Sequence, residues 1–223
     1  MSAESVRKLV IASGNQHKIV ELRAMAAARE ISVEVSAMSE HGAPPEVVED
    51  RDTFIGNATK KAEEIAAWLR ATCSLAGDTL VVADDSGVVI EAFDGAPGVY
   101  SARFAGPEAD DDANNAKMVA ELQARGRSES PAHYVCVLAA VRLDGQALDG
   151  QPVALFHGRW DGVARTEQRG DGGFGYDPYV WLNWPGDQSK TVAELSREEK
   201  AAQSHRGQAM RAFLAALARW QNS

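Results

Sequence analysis

The apolar run Lys8-Leu9-Val10-Ile11-Ala12 gives way, after Ser13-Gly14-Asn15, to a stretch of helical period. Ile19, Leu22 and Met25/Ala26 recur at the three-to-four spacing that lays one stripe along a helix from about Gln16 to Arg29. Ile31 to Val35 then alternates as a second strand does. A strand, a helix and a strand in immediate succession constrain this chain more than any other feature, because such elements bury their apolar faces against one another in layers.

The pattern continues. Thr53 to Thr72 reads as a helix with Ala58, Ala62, Ile65 and Leu69 on one face. Leu80-Val81-Val82-Ala83 is a buried strand that runs straight into Asp84-Asp85-Ser86-Gly87, after which Val88 to Phe93 is extended again. Asp94-Gly95-Ala96-Pro97-Gly98 is a turn. A helix from about Asp110 to Arg125 precedes strands at His133–Leu143 and Pro152–Trp160. Ser196 and Glu199 have capping-box spacing, and Gly207 interrupts the helical pattern that follows. Met210, Phe213, Leu214, Leu217 and Trp220 form an apolar stripe that reads as core. Alternating helices and strands predict an α/β fold around a mixed sheet, with residues 1–223 as a single domain.

The net charge of −9 opposes binding to nucleic acid, which depends on clustered Lys and Arg. It leaves room for a phosphate-bearing small molecule, given local cations or a metal. The run Glu108-Ala109-Asp110-Asp111-Asp112 is read as a solvated helix start. No apolar run is long enough to span a membrane, and the opening MSAESVRKLV has no apolar h-region of a secretory signal. Cys73 and Cys136, without metal or redox spacing, suit a reducing cytosol.

Five segments have residue types suited to chemistry. Ser13-Gly14-Asn15-Gln16-His17-Lys18 opens a helix, so backbone N–H groups, a positive dipole end and Lys18 can meet a phosphate; a plain capped turn explains it equally well. Asp84-Asp85 places two carboxylates at the end of a buried strand, costly without a cation or donors; neighbouring strand residues face opposite ways, so one of the two addresses a given face. Glu46, Glu49, Asp50 and Asp52 form a carboxylate loop that could supply a second magnesium ligand or be merely solvated. Gly172-Gly173-Phe174-Gly175-Tyr176-Asp177-Pro178 allows close approach of a flat ligand and an aromatic stack, with Asp177 as an acceptor for a base edge. The alternative is a Gly-rich hairpin whose aromatics belong to the core. Lys200 and Ser204-His205-Arg206 can converge where the chain breaks at Gly207, or form a surface basic cluster.

In this order, Ser-Gly-Asn-x-x-Lys, Asp-Asp-Ser-Gly-Val, Gly-Ala-Pro-Gly-Val-Tyr-Ser-Ala-Arg, Gly-Gly-Phe-Gly-Tyr-Asp-Pro and Glu-Leu-Ser-Arg-Glu-Glu-Lys…Ser-His-Arg-Gly resemble the inosine/xanthosine triphosphate pyrophosphatase family, from Leu9 to about Leu217. The resemblance implies an elongated α/β fold with a mixed sheet, two lobes and a nucleotide cleft between them, a homodimer, and a need for Mg2+. It implies hydrolysis of non-standard purine nucleoside triphosphates (ITP, dITP, XTP) to monophosphate and pyrophosphate, which cleanses the nucleotide pool.

Position by position, the resemblance assigns the triphosphate to Ser13, Gly14, Asn15, Gln16, His17 and Lys18. It makes Asp85 the catalytic carboxylate and a metal ligand, Glu49 the second metal ligand, and Ser86 a substrate contact. Phe174, Gly175, Tyr176 and Asp177 match the base-binding turn, with Lys200, His205 and Arg206 as its other wall. Thr53-Phe54-Ile55-Gly56-Asn57-Ala58 departs from the family pattern at Gly56, where Glu is usual, while Asn57 and Lys61 keep their places. Two other functions remain: a pyrophosphatase for modified pyrimidine nucleotides, and a nucleotide-binding regulator without turnover.

Overall fold

The computed structural model describes residues 7–14, 16–182 and 189–221, without the side chains of Gln16 and His17. In chain order the elements are β1 (Lys8–Ile11), α1 (Gln16–Ala27), β2 (Glu34–Ala37), α2 (Phe54–Thr72), β3 (Leu80–Ile90), α3 (Asp111–Ala124), β4 (Glu129–Arg142), β5 (Ala154–Arg165), β6 (Val180–Leu182), β7 (Lys190–Thr191), α4 (Arg197–Gln203) and α5 (His205–Trp220). Among the described residues one mixed sheet orders seven strands as β2-β1-β3-β4-β5-β6-β7. β1 is parallel to both β2 and β3, whereas β6 is antiparallel to both β5 and β7. The α/β expectation holds.

The chain divides into two compact units, Met1–Asp85 with Val137–His157 and Ala209–Ser223, and Ser86–Cys136 with Gly158–Gln208. In the first, Leu9–Ile11 of β1 and the opening of β3 are apolar and buried, as strands covered on both faces must be. Ile19 and Leu22 of α1, Ile65 and Leu69 of α2, and Phe213, Leu214 and Leu217 of α5 are all buried. Phe156, Phe213 and Trp220 meet edge to face, with ring centroids 5.5–6.5 Å apart. Thr53 caps α2 by accepting the Gly56 N–H at 3.0 Å.

In the second unit Val88, Ile90, Met118, Leu122, Tyr134, Trp160, Tyr176 and Val180 share one core. Asp110 caps α3, and Ser196 with Glu199 forms the expected capping box on α4.

Three expectations are corrected. The second strand is Glu34–Ala37 rather than Ile31–Val35, because Glu30 turns left-handed (φ 56°) and the Ile31 N–H closes α1 on the Ala26 carbonyl. The C-terminal helix breaks at Ser204, not Gly207: Ser204 is extended and its hydroxyl accepts the Gly207 N–H, which places Gly207 inside the first turn of α5. The strand opening at Leu80 does not end at Ala83: β3 runs unbroken through Asp84-Asp85-Ser86-Gly87 to Ile90.

Candidate active site

β3 holds the centre. Alternation along the strand sends Asp84 and Asp85 to opposite faces, and each meets a different helix. Asp84 accepts from Lys18 Nζ of α1 at 2.7 Å, a largely buried ion pair. Asp85 accepts from Asn57 Nδ2 of α2 at 3.0 Å. Both carboxylates are buried, and these donors offset the loss of water. Asn57 itself is fully buried, and its Oδ1 accepts the backbone N–H of Arg51. One amide thus ties the loop after Glu49 to the Asp85 carboxylate. One turn further along α2, Lys61 Nζ lies 2.5 Å from Glu49 Oε1.

Asn57 and Lys61 therefore arrange the two expected metal carboxylates from a single helical face, a feature legible as i, i+4 spacing. Of the other loop acids, Asp50 pairs with Lys60, whose hydrogen bond holds the Asp50 carboxyl below its usual range. Gly56 faces Arg51: a Cβ there would stand 2.8 Å from Arg51 Cβ.

Ser13 and Gly14 precede α1, as a phosphate-facing loop would, with Gly14 exposed and open around its Cα. Asn15 and the side chains of Gln16 and His17 lie outside the described residues.

The second unit builds an aromatic platform. Phe174 is 60% exposed, whereas Tyr176 is buried, so the turn projects one ring and packs the other. Lys200 Nζ lies 4.3 Å and Arg206 Cζ 5.9 Å from the Phe174 ring centroid. Gly173 has φ +79°, and a Cβ there would collide with Asp177 Oδ2, so only glycine lets this turn fold back on its own carboxylate.

Asp177 is buried and engaged three times. Oδ2 takes the Phe174 N–H at 2.9 Å and pairs with Lys200, while Oδ1 takes the Tyr134 hydroxyl at 3.1 Å. The carboxylate expected at a base edge is occupied in holding its own turn. From α3, Asp111 accepts the Gly175 N–H at 2.6 Å and Asn115 donates to the Gly175 carbonyl at 2.9 Å. The acidic run read as merely solvated thus supplies one brace.

Tyr176 donates to the Ser101 carbonyl, and its phenol is raised above the usual range by burial and then by the charge of Asp111. Ser101 Oγ accepts the Val88 N–H at 2.9 Å and donates to the Gly98 carbonyl. At α5, Arg206 Nη2 donates to Ser86 Oγ at 2.9 Å, and the His205 ring stacks on Tyr134 at 4.9 Å. Tyr134 and Asn115 carried no recognisable sequence signal, whereas Ser101 lies in the Gly-Ala-Pro-Gly-Val-Tyr-Ser-Ala-Arg segment. Among the described residues no group of three or more His, Cys, Asp or Glu is poised to hold a metal, and no helix is long and apolar enough to cross a membrane.

The Ham1 family profile matches residues 9–216. A protein from Ralstonia nicotianae named dITP/XTP pyrophosphatase is 43% identical over 98% of this chain and 100% of its own length. One from Yersinia pseudotuberculosis with the same name is 42% identical over 95% and 98%. Among solved structures, the HAM1 protein of Coxiella burnetii gives a TM-score of 0.80 at 33% identity, covering 96% of this chain and 99% of that one. The Staphylococcus aureus Ham1 protein gives 0.78 at 33% identity, covering 95% and 98%. The chain belongs to the Ham1 family.

Proposed function

We propose that this protein hydrolyses dITP, ITP and XTP to the monophosphate and pyrophosphate with Mg2+ as cofactor. The carrying observation is the exposed Phe174 ring flanked by Lys200 and Arg206, a surface for a flat, electron-rich, keto-bearing base. Relatives named dITP/XTP pyrophosphatase at 42–43% identity support the same reading.

The donor set fits magnesium. Mg2+ prefers hard oxygens and usually takes one or two carboxylates while substrate phosphates and water complete its shell. Asp85 and Glu49 are the candidates, the first held by the Asn57 amide and the second by the Lys61 ammonium. When bound, the ion supplies charge neutralisation at the α-phosphate and a more acidic water. Lys18 and Lys61 take up charge developing on the departing pyrophosphate. Asn57 fixes the orientation of Asp85, and Asp84 aligns Lys18. His205 and Arg206, opening α5, provide donors for a 6-keto oxygen; the 6-amino group of adenine would present donor to donor, a mismatch that discriminates strongly.

The reading extends to a homodimer acting in the cytosol, where Cys73 and Cys136, neither in a disulfide, stay reduced. The test is a panel of ITP, dITP, XTP, GTP and ATP scored for pyrophosphate release with and without Mg2+. Orthophosphate with a diphosphate product would mean attack at the γ-phosphate and overturn the mechanism. Binding without turnover would favour a regulator.

A further inference from the structure

Tyr134 belongs to no motif that marks the site, yet it touches both parts of the platform. Its hydroxyl donates to Asp177 Oδ1 at 3.1 Å, on the carboxylate whose other oxygen holds the Phe174 N–H and Lys200. Its ring lies nearly parallel to that of His205, 10° between planes at 4.9 Å, and tilts against Trp160 at 6.4 Å. Tyr134 is buried among Val88, Ile90, Tyr176 and Val180, so its position is fixed by the core rather than by solvent. We infer that Tyr134 is a positioning residue for nucleobase recognition, one that holds the Asp177 turn by its hydroxyl and seats His205 by its ring.

The physics favours a specific role over generic packing. A phenol buried this way costs stability unless its hydroxyl is bonded, and a phenylalanine would fill the same space without that demand. The hydroxyl stays protonated across the working pH range, because burial and then the Asp177 charge push its ionisation well above the ordinary value. It is therefore a permanent donor, and it fixes which way Asp177 points. Oδ1 engaged by Tyr134 directs Oδ2 to the Phe174 N–H and Lys200. The ammonium over the Phe174 ring is in this way indirectly set by a residue on β4.

The inference rests on Phe174 being the base platform, and the experiment separates the two. Tyr134→Phe keeps the ring and removes the donor. KM for dITP should rise at least fivefold with kcat within twofold, and the preference for dITP over dATP should narrow. In an Asp177→Asn background the same change should have less than a twofold effect, since the acceptor is already altered. Trp160→Phe, which loosens the same aromatic group without touching Asp177, should lower Tm while leaving KM unchanged.

Unchanged KM in Tyr134→Phe, an undiminished effect in the Asp177→Asn background, or loss of the fold on removing the hydroxyl would each overturn the proposal. If Phe174→Ala raises KM and Tyr134→Phe does not, only the role of Tyr134 fails. If neither moves KM, the platform reading fails.

Discussion

Replacing Phe174 by Ala isolates what the exposed ring contributes. Phe174 is 60% exposed and its fixed partners are the cations of Lys200 and Arg206, so the fold has little to lose. Exposed cation–π contacts are worth about 0.5–1 kcal/mol, which in a chain of this size shifts Tm by about 1–4 °C. Stacking a base on an aromatic side chain contributes about 1–3 kcal/mol, hence a loss of about 5- to 150-fold in affinity. Calorimetric binding of IMP or XMP reads that loss without turnover, and KM for dITP should rise in parallel while kcat changes little. Phe174→Leu, apolar but without a π face, should fall between. A Tm drop beyond about 5 °C with unaltered affinity would place Phe174 in the core and refute the reasoning.

Asp85→Asn should lower kcat by about a hundredfold or more at unchanged Tm, as for a lost metal carboxylate or base. Asp84→Asn, which frees Lys18 rather than a ligand, should cost less; small, equal losses would contradict both assignments. Gly87→Ala should destabilise by about 1–3 kcal/mol, or about 2–12 °C in Tm, because its Cβ would strike Ser101 Oγ and stand 2.5 Å from the Gly98 carbonyl oxygen; a Tm within a degree of wild type would refute the close approach. Asp144 is held below its ordinary carboxyl range by hydrogen bonding from Arg142, a stabilisation present above about pH 3.8 and lost as pH falls through the lower folded value. Urea unfolding should show Asp144→Asn less stable than wild type by under about 1 kcal/mol at pH 6, with the gap narrowing as pH falls below about 3.8; a constant gap would argue against that linkage.

The sheet was legible where one physical signal dominated. Leu80 to Ala83 is apolar without interruption, and β3 begins there. Its continuation through Asp84 to Gly87 was hidden, because those residue types mark turns unless distant donors satisfy them. Lys18 and Asn57 do so from 66 and 28 positions away. Glu30 stands in a left-handed conformation usually given to Gly, so the end of α1 carried no mark and Ile31 read as strand. β6 and β7 are too short to show a period. The site divides similarly: Phe174, Lys200 and Arg206 lie in short motifs, whereas Tyr134 and Asn115 act across 43 and 60 positions and looked like ordinary interior residues.

The first unit closes on a segment from the far end of the chain. Met1–Asp85 depends on Val137–His157 and on α5, whose Phe213, Leu214 and Leu217 are completely buried. On the ribosome, β1, β2, α1 and α2 emerge long before the helix that covers them. At about 5–20 residues per second, the roughly 120 residues after Asp85 take about 6–25 s to follow. Through that interval the nascent N-terminal third lacks the apolar face that Phe213, Leu214 and Leu217 supply, and so exposes surface that a holding chaperone can bind. A premature stop before Ala209 would leave that exposure permanent, so nonsense mutations late in the reading frame should yield aggregated protein rather than a trimmed but working enzyme.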